Sequence, residues 1–376
     1  MKWSFKVARV FGIELRIHIT FFLIILYAAY IWGVDYEQGT AGAVYGAFLI
    51  SVLFICVVIH ELCHSRMAQH YGADVASITL LPIGGVSLLK NMPEGPSKEF
   101  WVTIVGPLSN VVIAALLAPF LYLVPNPVDG PVGAFTNADV LTSISLQGFV
   151  SYMLLINVLL AVFNLLPAFP LDGGRVLRSI LAQRMPYARA THVAVTAGQV
   201  FAFILGIMGL LLGAWLWLVI AIFIYMGAEQ EGAGAELKKT LSKLTAGQAV
   251  ESGIRVLTPV QTLGEVVAVV LHTFQEDFPV LDGDRLVGVL TRANLLGGLH
   301  SLGSAATVSQ VMEKEFPVVE TGAPFSEVYD KINATGVKAV PVMENGKLLG
   351  IVTLEHLSEV FMLLSSTDKP ILPPQR

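Results

Sequence analysis

Two histidines and a glutamate lie inside a long apolar stretch of this chain, and their placement most constrains what it can fold into. Residues 17–65 contain no Lys or Arg, and residues 43–59 are apolar enough to cross a membrane. The segment HELCH follows at 60–64. Residues four apart share one face of an α-helix, so His60 and His64 can bind one metal ion together. Because ionisable groups at membrane depth are costly, the pattern indicates a functional site.

Glu61 gives the same segment a chemical role. It lies beside the two imidazoles and can accept a proton from a water molecule activated by Zn²⁺, which predicts hydrolysis within a bilayer. Cys63 lies to one side of the histidine face and is interpreted as a packing residue rather than a soft metal ligand. The alternative interpretation is a helix whose polar residues point into a protein interior.

Composition predicts a membrane domain followed by a soluble region. The chain is 55% apolar and 14% charged, with a mean hydropathy of +0.70. Its net charge of −5 is small and no basic cluster is present, so no nucleic-acid partner is expected. Six membrane spans are predicted, at residues 17–33, 43–66, 100–124, 142–166, 191–212 and 214–228.

Charge in the connecting segments orients these spans. The connections at 34–42 and 125–141 contain no Lys or Arg. The basic residues lie in the alternate connections: Lys90, Lys98, Arg175, Arg178, Arg184, Arg189, Lys238, Lys239 and Lys243. By the positive-inside rule, both termini and the soluble region are expected to be cytoplasmic.

A second polar group follows the fourth predicted span, in the segment NLLPAFPLDGGR at 164–175. Pro167 and Pro170 are expected to break the helix and to leave Asp172 on non-helical backbone near membrane depth. Asp172 is then either a third metal ligand or the cap of the next helix. The amide of Asn164 either holds a substrate carbonyl or a developing oxyanion, or bonds to another helix.

These segments together resemble the site-2 protease family of intramembrane zinc metalloproteases. The resemblance is carried by HELCH, by GPLSN at 106–110, by LPIGG at 81–85 and by the segment containing Asp172. It implies that His60, His64 and Asp172 bind one Zn²⁺ per chain. It also implies that Glu61 is the catalytic acid/base and that Asn164 assists at the substrate. The connection at 125–141 is too short for a PDZ-like insert.

Residues 76–89 are predicted to form a small re-entrant β-hairpin, since β-branched residues flank a Pro-Ile-Gly-Gly turn. An exposed edge there could pair with an unwound substrate as an added strand. The alternative is a purely structural re-entrant loop.

The C-terminal region contains an internal repeat, in which residues 278–291 parallel residues 340–353. Each copy reads as strand, Asp-Gly or Asn-Gly turn, strand and helix. This resembles a tandem pair of CBS domains, at about 246–300 and 307–364, and implies ATP or AMP binding or a homodimer. The candidate nucleotide ligands are Thr291, Asn294, Thr353 and His356. Asn294 and His356 depart from the Asp often found in that family.

The predicted fold is an α-helical multi-span membrane domain (1–228), a linker (229–245) and an α/β tandem CBS domain (246–376). The predicted protein is an intramembrane zinc endopeptidase in a prokaryotic cell membrane. It cleaves membrane-associated substrate proteins and is regulated through the CBS pair. The alternatives are a CBS-regulated transporter, which should carry charges across several spans, and a non-catalytic scaffold, which an altered Glu61 would have favoured.

Overall fold

The computed structural model describes residues 3–82, 84–89, 95–123, 137–251, 253–273, 275–335 and 337–353. The chain divides into two compact units, Met1–Ala233 and Gly234–Arg376. The helices of the first unit are α1 Phe21–Tyr30, α2 Gly39–His70, α3 Pro96–Leu117, α4 Phe120–Leu123, α5 Ala138–Thr142, α6 Leu146–Asn164, α7 Asp172–Leu181, α8 Tyr187–Leu211 and α9 Trp215–Leu241. A π-helical turn, Ile31–Asp35, continues α1.

Five helices of the described chain are long and apolar enough to cross a membrane, namely α2, α3, α6, α8 and α9. The helix in the first predicted span is shorter, covering Phe21–Asp35. Its predicted start at residue 17 is wrong, because Ile17 and His18 lie in a strand. The strand pairs with β3 of the sheet described next, and this pairing outweighs the apolar run that favoured a longer helix.

A four-stranded sheet lies beside the helices of the first unit. Its strands are β1 Ser4–Val10, β2 Ile13–His18, β3 Val75–Leu81 and β4 Gly84–Leu89, in that spatial order. The β3–β4 hairpin matches the predicted re-entrant element. The sequence did not predict that the basic N-terminus forms a second hairpin, whose strand β2 runs parallel to β3. Strand β4 therefore forms one edge of this sheet.

Close helix packing in the first unit depends on small residues. A Cβ on Gly46 of α2 would lie 2.6 Å from the carbonyl oxygen of Ala28 in α1, so only glycine allows this approach. Leu49 of α2 packs with Trp32 and Met153 in one buried cluster. This packing holds α2, the helix that contains the HELCH segment, against its neighbours.

Helix α9 continues through the segment predicted as a linker and ends at Leu241. Residues 229–241 are rich in Glu, Ala, Lys and Leu, which favour helix strongly enough to accommodate two glycines. Leu241 is fully buried in a core of the second unit.

The second unit contains two similar α/β copies. The first comprises α10 Leu263–Val270, β5 Asp277–Asp282, β6 Arg285–Thr291 and α11 Arg292–Leu302, followed by the short α12 Val308–Val311. The second comprises β7 Val319–Glu320, α13 Phe325–Thr335, β8 Ala339–Glu344 and β9 Lys347–Thr353. Both hairpins share one register, with Phe278 opposite Leu290 and Val340 opposite Val352.

Each copy is completed by the segment that precedes the other. Ala246 and Ala249 are buried in the core of the second copy, with Val340. Val308 is buried in the core of the first copy, with Phe278. Because each copy completes the core of the other with one of these segments, the two copies form one interlocked unit rather than two independently packed domains.

Candidate metal centre

Three side chains from two helices converge in the first unit. The Nε2 atoms of His60 and His64 on α2 lie 3.0 Å apart, and each lies 3.2 Å from Oδ2 of Asp172 on α7. Within the described residues this is the one group of three or more His, Cys, Asp or Glu side chains with ligand atoms close enough to share a metal ion. The structure therefore brings together the three ligands that the resemblance implies.

Hydrogen bonds on the far sides of the rings orient both imidazoles. Nδ1 of His64 donates to the carbonyl oxygen of Val102, 2.7 Å away. Nδ1 of His60 lies 2.6 Å from Oδ1 of Asn110, whose amide nitrogen is already used as a donor to Asn157. Both Nδ1 atoms therefore carry the proton, and both Nε2 atoms present lone pairs to the centre.

The donor set fits a zinc ion. The two Nε2 atoms and Oδ2 of Asp172 are all hydrogen-bond acceptors, and none of them carries a proton. A cation is therefore the natural partner for these three atoms. Ligands at zinc-bonding distance in a tetrahedron lie about 3.3 Å apart, close to the separations observed. Two histidines and one carboxylate are also a known ligand set of catalytic zinc, which keeps a fourth position open.

Glycine makes room for the site on the side of α3. A Cβ on Gly106 would overlap Nε2 of His64. Since α3 also contributes Val102 and Asn110, this one helix positions both histidines. The segment GPLSN thus has a physical function that the sequence did not reveal.

The structure corrects the expected backbone at Asp172, which is the first residue of α7 and not part of a loop. Extended backbone at Leu171 precedes it, and the helix begins at Asp172 itself. A Cβ on Gly173 would overlap the carbonyl oxygen of Leu166, so glycine allows α7 to pack on the preceding turn. The hydrogen-bond partners of the Asp172 side chain in the described chain are His60 and His64.

Glu61 lies outside the three-residue cluster and against strand β4. The hydroxyl of Ser87 donates to Oε2 of Glu61 over 2.7 Å. A Cβ on Gly85 would lie 2.5 Å from Cγ of Glu61, so the strand approaches this side chain closely. The predicted acid/base residue, next to His60 in the sequence, is therefore held against the edge strand of the sheet.

Asn164 is the last residue of α6 and is partly buried. In the described chain it makes no hydrogen bond to His60, His64 or Asp172. The structure does not bring it into the cluster, and its role at the substrate stays a prediction.

Two other asparagines are the polar groups that the sequence did not single out. Asn110 and Asn157 are fully buried, and Asn157 donates to the carbonyl oxygen of Met153 over 2.7 Å. An uncharged amide inside an apolar helix is a signal for an inter-helix hydrogen bond. A single sequence gives no means of pairing two such residues across different helices.

The predicted nucleotide ligands are placed only in part. The hydroxyl of Thr291 accepts a hydrogen bond from the backbone of Asn294 and caps α11. The side-chain amide of Asn294 donates to Glu313 over 3.1 Å. Thr353 ends β9, and His356 lies outside the described residues.

Two family models match this chain. The model of peptidase family M50 matches residues 48–205, which include His60, His64 and Asp172. The CBS domain model matches residues 308–363, within the second unit.

Relatives match over nearly the whole length. A zinc metalloprotease of Methanocaldococcus jannaschii is 31% identical over 369 residues, covering 98% of this chain and 99% of that protein. A candidate zinc metalloprotease of Synechocystis sp. is 27% identical over 384 residues, covering 98% and 95%. Among solved structures, the site-2 protease from Methanocaldococcus jannaschii is 33% identical with a TM-score of 0.43, covering 61% of this chain and 95% of that one.

The chain therefore belongs to peptidase family M50. It is an integral membrane zinc metalloendopeptidase with a C-terminal CBS region. This confirms the predicted enzyme class over the transporter and scaffold alternatives.

Proposed function

We propose that His60, His64 and Asp172 hold one Zn²⁺ per chain, and that Glu61 is the acid/base residue for cleaving a membrane-associated protein. The observation that carries this proposal is the convergence of two imidazole lone pairs and a carboxylate oxygen between helices α2 and α7. The side chains of the three residues are mostly buried, with exposed fractions of 8%, 14% and 18%.

In the proposed reaction, the metal ion and the residues around it have separate roles. A zinc ion supplies Lewis acidity, which makes water nucleophilic near neutral pH and polarises the scissile carbonyl. Glu61 accepts the proton of the attacking water and passes it to the leaving amine. Ser87 holds Oε2 of Glu61, and in the described chain no hydrogen bond occupies its Oε1. Asn164 assists by binding the substrate carbonyl or the developing oxyanion.

The substrate segment is proposed to pair with the edge of strand β4. Within the described residues β4 pairs with β3 on one side only, so its other side has backbone groups available. Addition of a strand there would keep the substrate extended and place it beside Glu61. Extension is needed because a helical substrate hides its peptide bonds.

We propose that both termini and the CBS region are cytoplasmic, so that cleavage releases a cytoplasmic fragment. The support is the alternation of basic and uncharged connections.

Adenine nucleotide, either ATP or AMP, is proposed to bind the CBS pair through Thr291, Asn294, Thr353 and His356. Asn294 would have to exchange its hydrogen bond with Glu313 for one with ribose, so weak binding is expected. Calorimetric titration of each nucleotide into the full-length protein in detergent tests this. Absence of binding at millimolar nucleotide would leave homodimerisation or substrate docking as the role of the pair.

The proposed protease function is tested by co-expression with candidate single-span proteins, comparing the wild type with Glu61→Gln. A shortened substrate fragment should appear with the wild type and not with the variant, while both retain zinc. Equal cleavage by Glu61→Gln would contradict the proposal. The substitution Glu37→Gln, at an exposed position before α2, is the matched control and should cleave normally.

A further inference from the structure

Arg178 is a buried cation that the proposed chemistry leaves unused. It lies on α7, the ten-residue helix that begins with Asp172, and its side chain is 7% exposed. Its Nε and Nη2 atoms donate to Oε1 of Glu99 over 2.9 and 2.5 Å, and Nη1 donates to Oε2 of Glu231 over 3.1 Å. A guanidinium group has several N–H donors in one plane, so it is well suited to bind two carboxylates at once.

Aromatic rings cover the same guanidinium. The rings of Phe169 and Tyr187 each lie 5.0 Å from its central carbon. Phe169 is fully buried and belongs to the turn on which α7 packs. A buried Arg is costly unless it is paired, and the carboxylates and rings that surround Arg178 all lie outside α7.

Through Glu99, Arg178 contacts α3, the helix whose residues hydrogen-bond to both histidines. Glu99 lies in the first turn of α3, and the same helix contributes Val102, Gly106 and Asn110 around His60 and His64. The pair of Arg178 and Glu99 therefore ties the helix bearing the carboxylate ligand to the helix supporting the imidazole ligands.

The position of helix α7 has to be fixed by contacts with other elements. A helix of ten residues is marginal by itself, so packing decides its rotation and its position. At its start, Gly173 and Gly174 fit against the backbone of residues 165–169. Small glycines permit this approach but do not fix rotation about the helix axis. Arg178 supplies directional bonds farther along the helix.

We propose that Arg178 is a positioning residue, which holds Asp172 in place against the two histidines through its ion pair with Glu99. This inference rests on the proposed zinc function. A residue that aligns a metal ligand through a second contact typically affects metal affinity by about 10- to 100-fold.

The test compares zinc retention by full-length variants in detergent, measured as the zinc dissociation constant by competition with a chelator. Arg178→Gln should weaken zinc binding about 10- to 100-fold. Arg178→Lys keeps the charge but loses the fork and should show a smaller loss in the same direction. Glu99→Gln should also weaken binding. Arg175→Gln is the matched control on the same helix, since Arg175 is half-buried and makes one 3.5 Å contact with Glu231, and it should bind zinc normally.

Activity at saturating zinc gives a second readout. If Arg178 acts by placing Asp172, added zinc should restore most of the cleavage rate of Arg178→Lys. Wild-type zinc affinity in folded Arg178→Lys and Glu99→Gln would overturn the inference, even if Arg178→Gln fails to fold. A wild-type protein that binds no zinc, or an Asp172→Ala variant that binds it normally, would instead overturn the proposed function.

Discussion

Ser87 on strand β4 donates a hydrogen bond to Glu61 on helix α2, with 2.7 Å between the two oxygens. The contact joins the edge of the sheet to the proposed acid/base residue. It means that a substrate strand added to β4 would be aligned with the same element that orients Glu61. In the proposed mechanism, substrate placement and proton transfer therefore both depend on strand β4.

Ser87→Ala should lower the rate of cleavage by about tenfold while zinc content stays unchanged. One hydrogen bond to a charged group contributes roughly 1.5–3 kcal/mol, and part of it is replaced by water. The measurement is kcat together with metal analysis. Ser77→Ala is the control, because Ser77 lies on the neighbouring strand β3, and zinc loss in Ser87→Ala would contradict this account.

Two glycine substitutions should separate metal binding from proton transfer. Gly106→Ala places a methyl group on Nε2 of His64, so zinc should be lost. Gly85→Ala meets Cγ of Glu61 instead, and this variant should keep zinc but lose most of its activity. Metal analysis and a cleavage assay on both proteins check the contrast. If both variants lost zinc, or if both kept zinc and activity, zinc binding and proton transfer would not depend on separate contacts of His64 and Glu61.

Asn110→Ala should weaken zinc binding by about 10- to 100-fold, because it removes the acceptor that fixes the ring of His60. Chelator competition measures the effect. Asn164→Ala provides the comparison, with normal zinc affinity and a lower kcat expected from its proposed role at the substrate. A reversed pattern would exchange the roles of the two asparagines.

In the CBS region, burial raises the pKa of the Asp277 carboxyl, although the backbone N–H of Lys338 partly offsets this by donating to it. Since the folded-state pKa lies above the unfolded value of 3.8, the contribution of Asp277 to stability is greatest below that value and is lost as pH rises through the raised pKa. Asp277→Asn should therefore raise the free energy of unfolding of the second unit at neutral pH. It should also make that free energy change less with pH in the acid range. Hydrogen exchange of β5 in the full-length protein measures this, and faster exchange in the variant at neutral pH would contradict it.

The sequence predicts the membrane helices, the shared face of His60 and His64 and the helix break before Asp172 because these depend on local patterns, whereas the convergence of Asp172 on the two histidines is implied only by the family resemblance. Apolar length, the spacing of His60 and His64, and the turn before Asp172 can all be read within short windows. Their assignment as zinc ligands stays a prediction. The roles of Ser87, Asn110 and Asn157 depend on contacts between distant segments, which one sequence does not encode visibly.

The elements that the sequence missed have a similar cause. Strand β2 lies at the start of an apolar run that also suits a membrane helix, and only its pairing with β3 decides between them. Helix α9 passes through glycines and charges that are typical of a linker. Its last turn is fixed by burial of Leu241 in the second unit.

X-ray absorption at the zinc edge of the full-length protein tests the central claim most directly. The account predicts one zinc per chain with nitrogen and oxygen ligands at about 2.0–2.2 Å and the scattering signature of two imidazoles. Asp172→Ala should lose zinc or change the oxygen shell. A sulfur ligand at about 2.3 Å, which Cys63 could supply, or a purified protein without stoichiometric zinc, would contradict the metal centre described above.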